Sequence, residues 1–457
     1  METERTLAAE MLLEKLSSEA YHDGLSAELI RSDPEIQRMI TSEYERLQDT
    51  IQLLAAENRC SRAALAALGS ILQNKTSEGF PAVRLHGGSE VVDEVESLAI
   101  QRAKRVFGAK YANVQPHSGT TANQIVITAL LEPGDGILSM SPGHGGHFSH
   151  GSMDSITARF FRIENYYVDR ESFLLDYDQI AEQARDFKPK LIICGASAYP
   201  RAIDFVRFRQ IADEVGAMLL ADISHISALV IAGVHPSPID CAHVTTTSTY
   251  KPGGPRGGLI LMGRHHDLKI RTRSGDNMLR QLIEKATFPG LQGTPCFNNI
   301  AAKAVFFKEA ESKQYKARQF RVVENAKRLA ANLMQKGYNV LTGGTDNHLM
   351  LVNVAGISEG LTGFAAQKCL EDCGIVVDRI HLPYDDKPNI TTGIRLGTPI
   401  VTRNGMGVPE MDQIADMMDA VLKKIQLVSE CQYAIDESFA TNAKQQAKML
   451  SRRFPFQ

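Results

Sequence analysis

No sign of charge dominates this chain, no apolar run in it is long, and its cysteines form no even framework. The formal net charge is −3 with 23% charged residues, a balance that offers nucleic acid no polyelectrolyte footprint. The longest apolar stretches, such as Ala228-Leu-Val-Ile-Ala-Gly, fall far short of the roughly 20 residues of a membrane span. The seven cysteines are scattered and odd in number, which argues against a disulfide scaffold. Cys369 and Cys373 stand four apart like half a metal site, but no matching His/Cys pair follows, so buried small apolar residues are expected and no metal. The start, Met1-Glu-Thr-Glu-Arg, is acidic and leads into a helix-like run from Ala8 to Leu16, unlike a basic signal segment or an acid-poor transit peptide. A cytoplasmic protein without nucleic-acid or membrane partners is the expectation.

What is present suits a two-domain enzyme. A chain of 457 residues with 43% apolar content exceeds the size of one growing core. The expected division is an N-terminal arm and helix over 1–57, a large domain over 58–309 and a small domain over 310–457. Asp33-Pro34-Glu35 is a helix-start signal, and Ile36, Met39, Ile40, Tyr44, Leu47, Ile51 and Leu54 keep helical spacing, predicting an amphipathic helix over 33–57. Residues 58–90 are punctuated by Gly and Pro and end in His86-Gly87-Gly88, a candidate functional loop. From 93 to 265 helical patterns alternate with apolar runs beginning at Leu191, Ala217, His243 and Gly258, which predicts an α/β domain with a buried, mainly parallel sheet. A helical region over 298–337 precedes a second, smaller alternation with strands at His348–Val354 and Gly393–Gly397.

Three motifs carry chemistry. Gln115-Pro-His-Ser-Gly-Thr-Thr-Ala-Asn123 opens a helix, so Ser118, Gly119 and Thr120 present hydroxyls and N–H groups as a phosphate cradle, although such a turn by itself is also an ordinary cap. Asp222 closes an apolar run at the strand end where open α/β folds bind ligands, with His225 three residues on. In Thr245-Thr-Thr-Ser248-Thr-Tyr250-Lys251-Pro-Gly-Gly, a lysine follows a hydroxyl-rich strand and precedes a permissive turn that lets a bulky ligand approach; lysine amines form imines with carbonyl cofactors.

With these motifs, Ala56-Glu-Asn58, His144-Gly-Gly-His147, Gly233-Val-His-Pro, Gly254-Pro-Arg-Gly-Gly and Gly393-Ile-Arg-Leu-Gly-Thr-Pro399, the chain closely resembles the serine hydroxymethyltransferase family from about Asp33 to about 425. The resemblance implies an α/β protein of the pyridoxal-phosphate fold type I, aspartate-aminotransferase-like, with a large mainly parallel-sheet domain and a smaller C-terminal α/β domain. It implies pyridoxal 5'-phosphate as cofactor, bound to Lys251 as a Schiff base, with Asp222 on the pyridinium nitrogen and His147 stacked on the ring. Ser197 and His225 would contact the phenolic oxygen, Ser118, Gly119, Thr120 and Ser248 would hold the phosphate end, and Gly293 would reach in from a partner subunit. Arg395 would clamp the substrate carboxylate, Glu78 of the partner would transfer the proton, and His86 and Tyr250 would face the substrate. A homodimer or higher homo-oligomer acting on an amino acid and an aldehyde follows. The implied reaction makes or breaks the Cα–Cβ bond of a β-hydroxy-α-amino acid through a glycine-type quinonoid carbanion.

Departures from the family gather on the folate side. Thr76, Leu85 and His86 stand where the family has tyrosines, Pro142 and Phe148 where it has leucines, and Tyr384 where it has a pterin-contacting Asn. Ala56 replaces a carboxylate-binding Ser, Tyr250 the His before the lysine, Thr294 a Gly, and the turn after Lys251 is a residue shorter. A folate-independent aldolase or threonine-type transaldolase is therefore the expectation, with tetrahydrofolate doubtful and an ordinary glycine/serine hydroxymethyltransferase the alternative. A non-catalytic relative predicts loss of Lys251, Asp222, His147 and Arg395, all of which are present. Aminotransferase or decarboxylase chemistry lacks support in the motifs.

Overall fold

The computed structural model describes residues 28–455 except 273–274, 358–359, 386 and 388–389. The helix-like run from Ala8 to Leu16 lies outside the described residues.

Asp33 caps the helix Pro34–Asp49 (α1) by accepting from the Ile36 N–H at 3.0 Å. The periodicity overshoots here: α1 stops at Asp49, Thr50 is extended, and Ile51–Gln52 pairs as a parallel strand with Ile375–Val376. Burial decides the matter. Ile51 and Leu53 are fully enclosed, whereas Ile36, Met39, Ile40 and Tyr44 on α1 are 45–55% exposed, leaving an apolar stripe on this helix in the single chain. The segment 58–90 is also more structured than a loop, with a Ser61-capped helix at Arg62–Leu68 and a hairpin pairing Gly79–Phe80 with Val83–Arg84.

The large sheet has seven strands: Tyr111–Asn113 (β1), Gly136–Met140 (β2), Arg162–Tyr166 (β3), Leu191–Cys194 (β4), Met218–Asp222 (β5), Val244–Ser248 (β6) and Gly258–Met262 (β7). Their order is β1-β7-β6-β5-β4-β2-β3. All neighbours run parallel except β7, which is antiparallel to both β6 and β1. Central strands are buried on both faces, which is why they read as continuous apolar or hydroxyl-bearing runs rather than alternations. Crossover connections place the β5 and β6 C-termini side by side, with Asp222 opposite Thr246.

Two helices, Phe297–Ala310 (α2) and Lys313–Gln335 (α3), replace the single expected helical region; Ser312 caps the second by accepting from the Tyr315 N–H at 3.1 Å. Beyond them, the antiparallel sheet of Asn339–Val340, Leu349–Asn353, Gly393–Gly397 and Asp378–Ile380 carries a second core that runs to Leu450 and takes in Ile51 and Leu53. Cys369 and Cys373 lie in that core. The helix Glu437–Arg452 (α4) fastens back to the N-terminal side, with Arg452 and Lys448 on Asp49 at 2.7 and 2.8 Å and the Ser451 hydroxyl donating to Thr50 O at 3.0 Å. No helix among the described residues is long and apolar enough to cross a membrane.

One buried cation ties these layers together. Lys303 on α2 is 1% exposed, and its Nζ donates to Val114 O at 2.6 Å, Pro116 O at 3.1 Å and Gly258 O at 3.0 Å. Three carbonyls match the three N–H bonds of an ammonium group. Burial draws that group down to about 7, while the carbonyl dipoles favour its charged form. Lys303→Met keeps the side-chain length but removes all three of these bonds from buried carbonyls, of which Pro116 O retains the Gly258 N–H. The expected loss is about 3 kcal/mol or more, seen as a lower thermal midpoint; a variant as stable as the parent would contradict this role.

Candidate active site

The site grows from the ends of β5 and β6. After Ser248 the chain turns through Thr249 and Tyr250 into Lys251, whose Nζ donates to the Tyr250 hydroxyl at 3.0 Å and lies 3.5 Å from Ser248 Oγ. The Tyr250 ring sits between two cations, Lys251 Nζ and the Arg256 guanidinium, each 4.6 Å from its centroid. Asn58 fixes the lysine backbone by donating to Lys251 O at 3.0 Å, and the Tyr315 hydroxyl donates to Pro252 O at 2.9 Å. The shortened turn works because Gly253 takes a φ of +109°, where a Cβ would also stand 2.7 Å from Arg403 Nη1.

Asp222 is buried at the β5 terminus and fully engaged. Its Oδ2 accepts from His150 Nε2 at 3.0 Å and Asn123 Nδ2 at 2.8 Å; its Oδ1 accepts from the Ser224 N–H at 2.9 Å and the Ser224 hydroxyl at 2.6 Å. Burial alone would raise this carboxyl, but His150, His147 and the Asn123 amide outweigh it and hold the group well below the usual carboxylate range. The acid is therefore a fixed negative charge.

Three imidazoles near it, those of His147, His225 and His348, are neutral. His147 accepts from the Ser149 N–H through Nδ1 at 3.2 Å, and burial, against the pull of Asp222, lowers it to about 4. His225 Nδ1 lies 3.5 Å from His348 Nε2 with the rings stacked at 23°; burial and the nearby Lys251 and Arg395 charges push His225 well below its ordinary value, and burial and Arg395 bring His348 to about 3. Arg395, on Gly393–Gly397, donates to Ser197 O at 2.6 Å, joining two of the expected contacts. The same guanidinium donates to Asp378 Oδ2 through Nε at 3.1 Å and Nη2 at 2.7 Å.

Ser118 caps the helix Gly119–Leu130, its hydroxyl accepting from the Thr121 N–H at 3.0 Å. A Cβ on Gly119 would meet Ser224 Oγ, Ser248 Cβ and Ser248 N, each at 3.4 Å. The helix terminus, with Thr120 exposed beside it, thus opens onto two hydroxyl residues next to Lys251. An anion-binding helix end, an imine-forming amine and a buried carboxylate at a strand terminus are the donor set that pyridoxal phosphate requires, and the residues fit that group.

Glu78, His86 and Gly293 form a second group. His86 Nδ1 accepts from the Glu78 N–H at 3.3 Å, and a Cβ on Gly293 would stand 3.1 Å from Glu78 Oε1. Gln292 joins this group to the cradle, donating to Gln115 O at 3.1 Å and accepting from the His117 N–H at 3.2 Å. Arg84, buried between Asp93 and Glu96, anchors the hairpin that carries Glu78.

Several residues were absent from the sequence reading of the site. Asn123 ended the phosphate motif and Asn58 the Ala56 motif without being given roles. His150, three residues past His147, had a helical-spacing signal, and Ser224, two residues past Asp222, had the signal of a local turn; His348 and Asp378 had none that local pattern would supply.

The depressed histidines have a pH consequence. In the unfolded chain His147, His225 and His348 would bind protons near 6.5, while the folded protein keeps them neutral far lower. Their stabilising contribution is complete above about pH 6.5 and is lost as pH falls toward 4, before Asp222 titrates. Thermal midpoints of the cofactor-free protein should hold steady from pH 8 to 7 and drop between 6.5 and 4.5. A flat profile across that window would refute the neutral cluster.

The model of the family described as serine hydroxymethyltransferase matches residues 29–418 of the 457. That span includes both strand ends, the helix cradle, Lys251 and Arg395, and the chain belongs to the serine hydroxymethyltransferase family, whose members are pyridoxal-phosphate enzymes of fold type I.

Proposed function

We propose that this chain is a folate-independent aldolase or threonine-type transaldolase, exchanging the aldehyde half of a β-hydroxy-α-amino acid. The observation that carries this reading is Tyr384. It stands where the family has a pterin-facing amide, packs edge-on against Phe173 with ring centroids 5.6 Å apart, and hydrogen-bonds with Asn353 and Thr392. Burial and Asp385 push its phenol up to about 12, so it stays protonated and offers no amide pair to a pterin edge. Leu85 and Phe148, two further positions that depart from the family, are apolar and 69% exposed.

Bound pyridoxal phosphate supplies an electron sink for the pair left on Cα when the Cα–Cβ bond breaks. Lys251 provides the attachment amine, and the Tyr250 hydroxyl that receives its N–H bond holds a proton beside it. Asp222 keeps its charge toward the ring nitrogen, and His147 contributes a neutral imidazole face. Arg395 orients the substrate carboxylate. Glu78 of a partner copy takes the β-hydroxyl proton as the new carbonyl forms, and the reverse path accepts a different aldehyde. A homodimer fits this division of labour, since the exposed stripe on α1 needs an apolar neighbour.

Purified holoenzyme given L-threonine and an aromatic aldehyde, without folate, should release acetaldehyde and form a new β-hydroxy amino acid. Turnover that appears only with L-serine or glycine plus reduced folate would sink the transaldolase reading and leave the ordinary hydroxymethyltransferase.

Mixing tests the shared site. Lys251→Ala and Glu78→Gln are each expected to be inactive alone; equilibrated in equal amounts, they should regain up to about a quarter of wild-type activity, because half the dimers carry one intact site. No recovery, with exchange of subunits verified, places Glu78 in its own chain's site.

A further inference from the structure

Asp222, Lys251 and the cradle account for cofactor binding, but they leave Asp378 without a role. It lies directly across the small-domain sheet from Arg395, the two being antiparallel register partners, and its side chain is 27% exposed against 10% for the arginine. A single oxygen, Oδ2, takes both Nε–H and Nη2–H. This is the side fork of the guanidinium. Ser197 O takes one N–H of Nη1. Of the five guanidinium N–H bonds two remain, one on each terminal nitrogen, and they are the donors left for an incoming carboxylate. Ala56 adds no donor of its own.

We infer that Asp378 is a positioning and specificity residue for the amino-acid carboxylate. It fixes the plane of Arg395 so that the free end of the guanidinium faces the substrate, and its negative charge offsets part of the arginine's attraction. The second effect makes the site take one carboxylate and resist a second, so a monocarboxylic amino acid is the substrate class. Arg395 without Asp378 would keep its charge but lose its fixed plane, retained on one side only by Ser197. The inference rests on the reading of Arg395 as the carboxylate contact.

The test uses holoenzyme and two probes, glycine and glycinamide, titrated against the cofactor absorbance of wild type, Asp378→Ala and Asp378→Asn. Asparagine can still accept both N–H bonds through its Oδ1 but carries no charge. Wild type should bind glycine in preference to glycinamide. Asp378→Ala should weaken glycine binding about tenfold and leave glycinamide within about twofold, while Asp378→Asn should bind glycine at least as tightly as wild type. A preference for glycine that survives unchanged in Asp378→Ala overturns the inference while leaving the function standing. Equal weakening of both probes shows a general structural role and overturns it too. Wild type that does not distinguish glycine from glycinamide refutes the role of Arg395, and this inference falls with it.

Discussion

A carboxylate buried at the end of a central strand is tolerable only when every lone pair it turns inward finds a donor. Asp222 meets that condition with donors from three separate segments: Asn123 on the cradle helix, His150 after the His147 turn, and Ser224 just beyond its own strand. Asn123 in turn accepts from the Thr246 hydroxyl on β6 at 2.6 Å, one strand over and close to the lysine. The cradle helix, the buried carboxylate and the lysine-bearing turn are thereby parts of one hydrogen-bonded unit. Shifting one of them disturbs all three, which explains why so many small polar residues sit in strands that otherwise read as core.

The charges elsewhere follow the same economy. Lys303 spends its donors on three carbonyls behind the cradle, and Arg395 divides its own between a backbone oxygen, a carboxylate and the open site. His147, His225 and His348 complete the pattern by remaining uncharged. A pocket built this way presents one negative end and one positive end, with a neutral, polarisable middle.

The fold was legible wherever the sequence pattern had one cause. Strands buried on both faces gave unbroken apolar runs, and the lysine turn announced itself by its glycines. Where two causes overlapped, the pattern misled: Ile51 continues the 3.6-residue period of α1 by coincidence, but its burial belongs to a strand whose partner, Ile375, lies far along the chain. The break between α2 and α3 was hidden because Glu311-Ser312 is short and polar, and only the cap geometry reveals it. In the site, residues at strand ends and in glycine-rich turns were readable, since their local context is unusual. His348 and Asp378 were not, because each acquires its partner through a contact between segments that local spacing does not encode.

The second core closes over both Ile51 and Leu450. On a chain emerging from the ribosome, Ile51 and Leu53 are made well before α4. These two residues must therefore wait, unburied, for the rest of that core, which begins at Ala326, while the large sheet can already assemble. Folding of the second core during synthesis thus depends on how Ile51 and Leu53 are shielded until their later partners arrive.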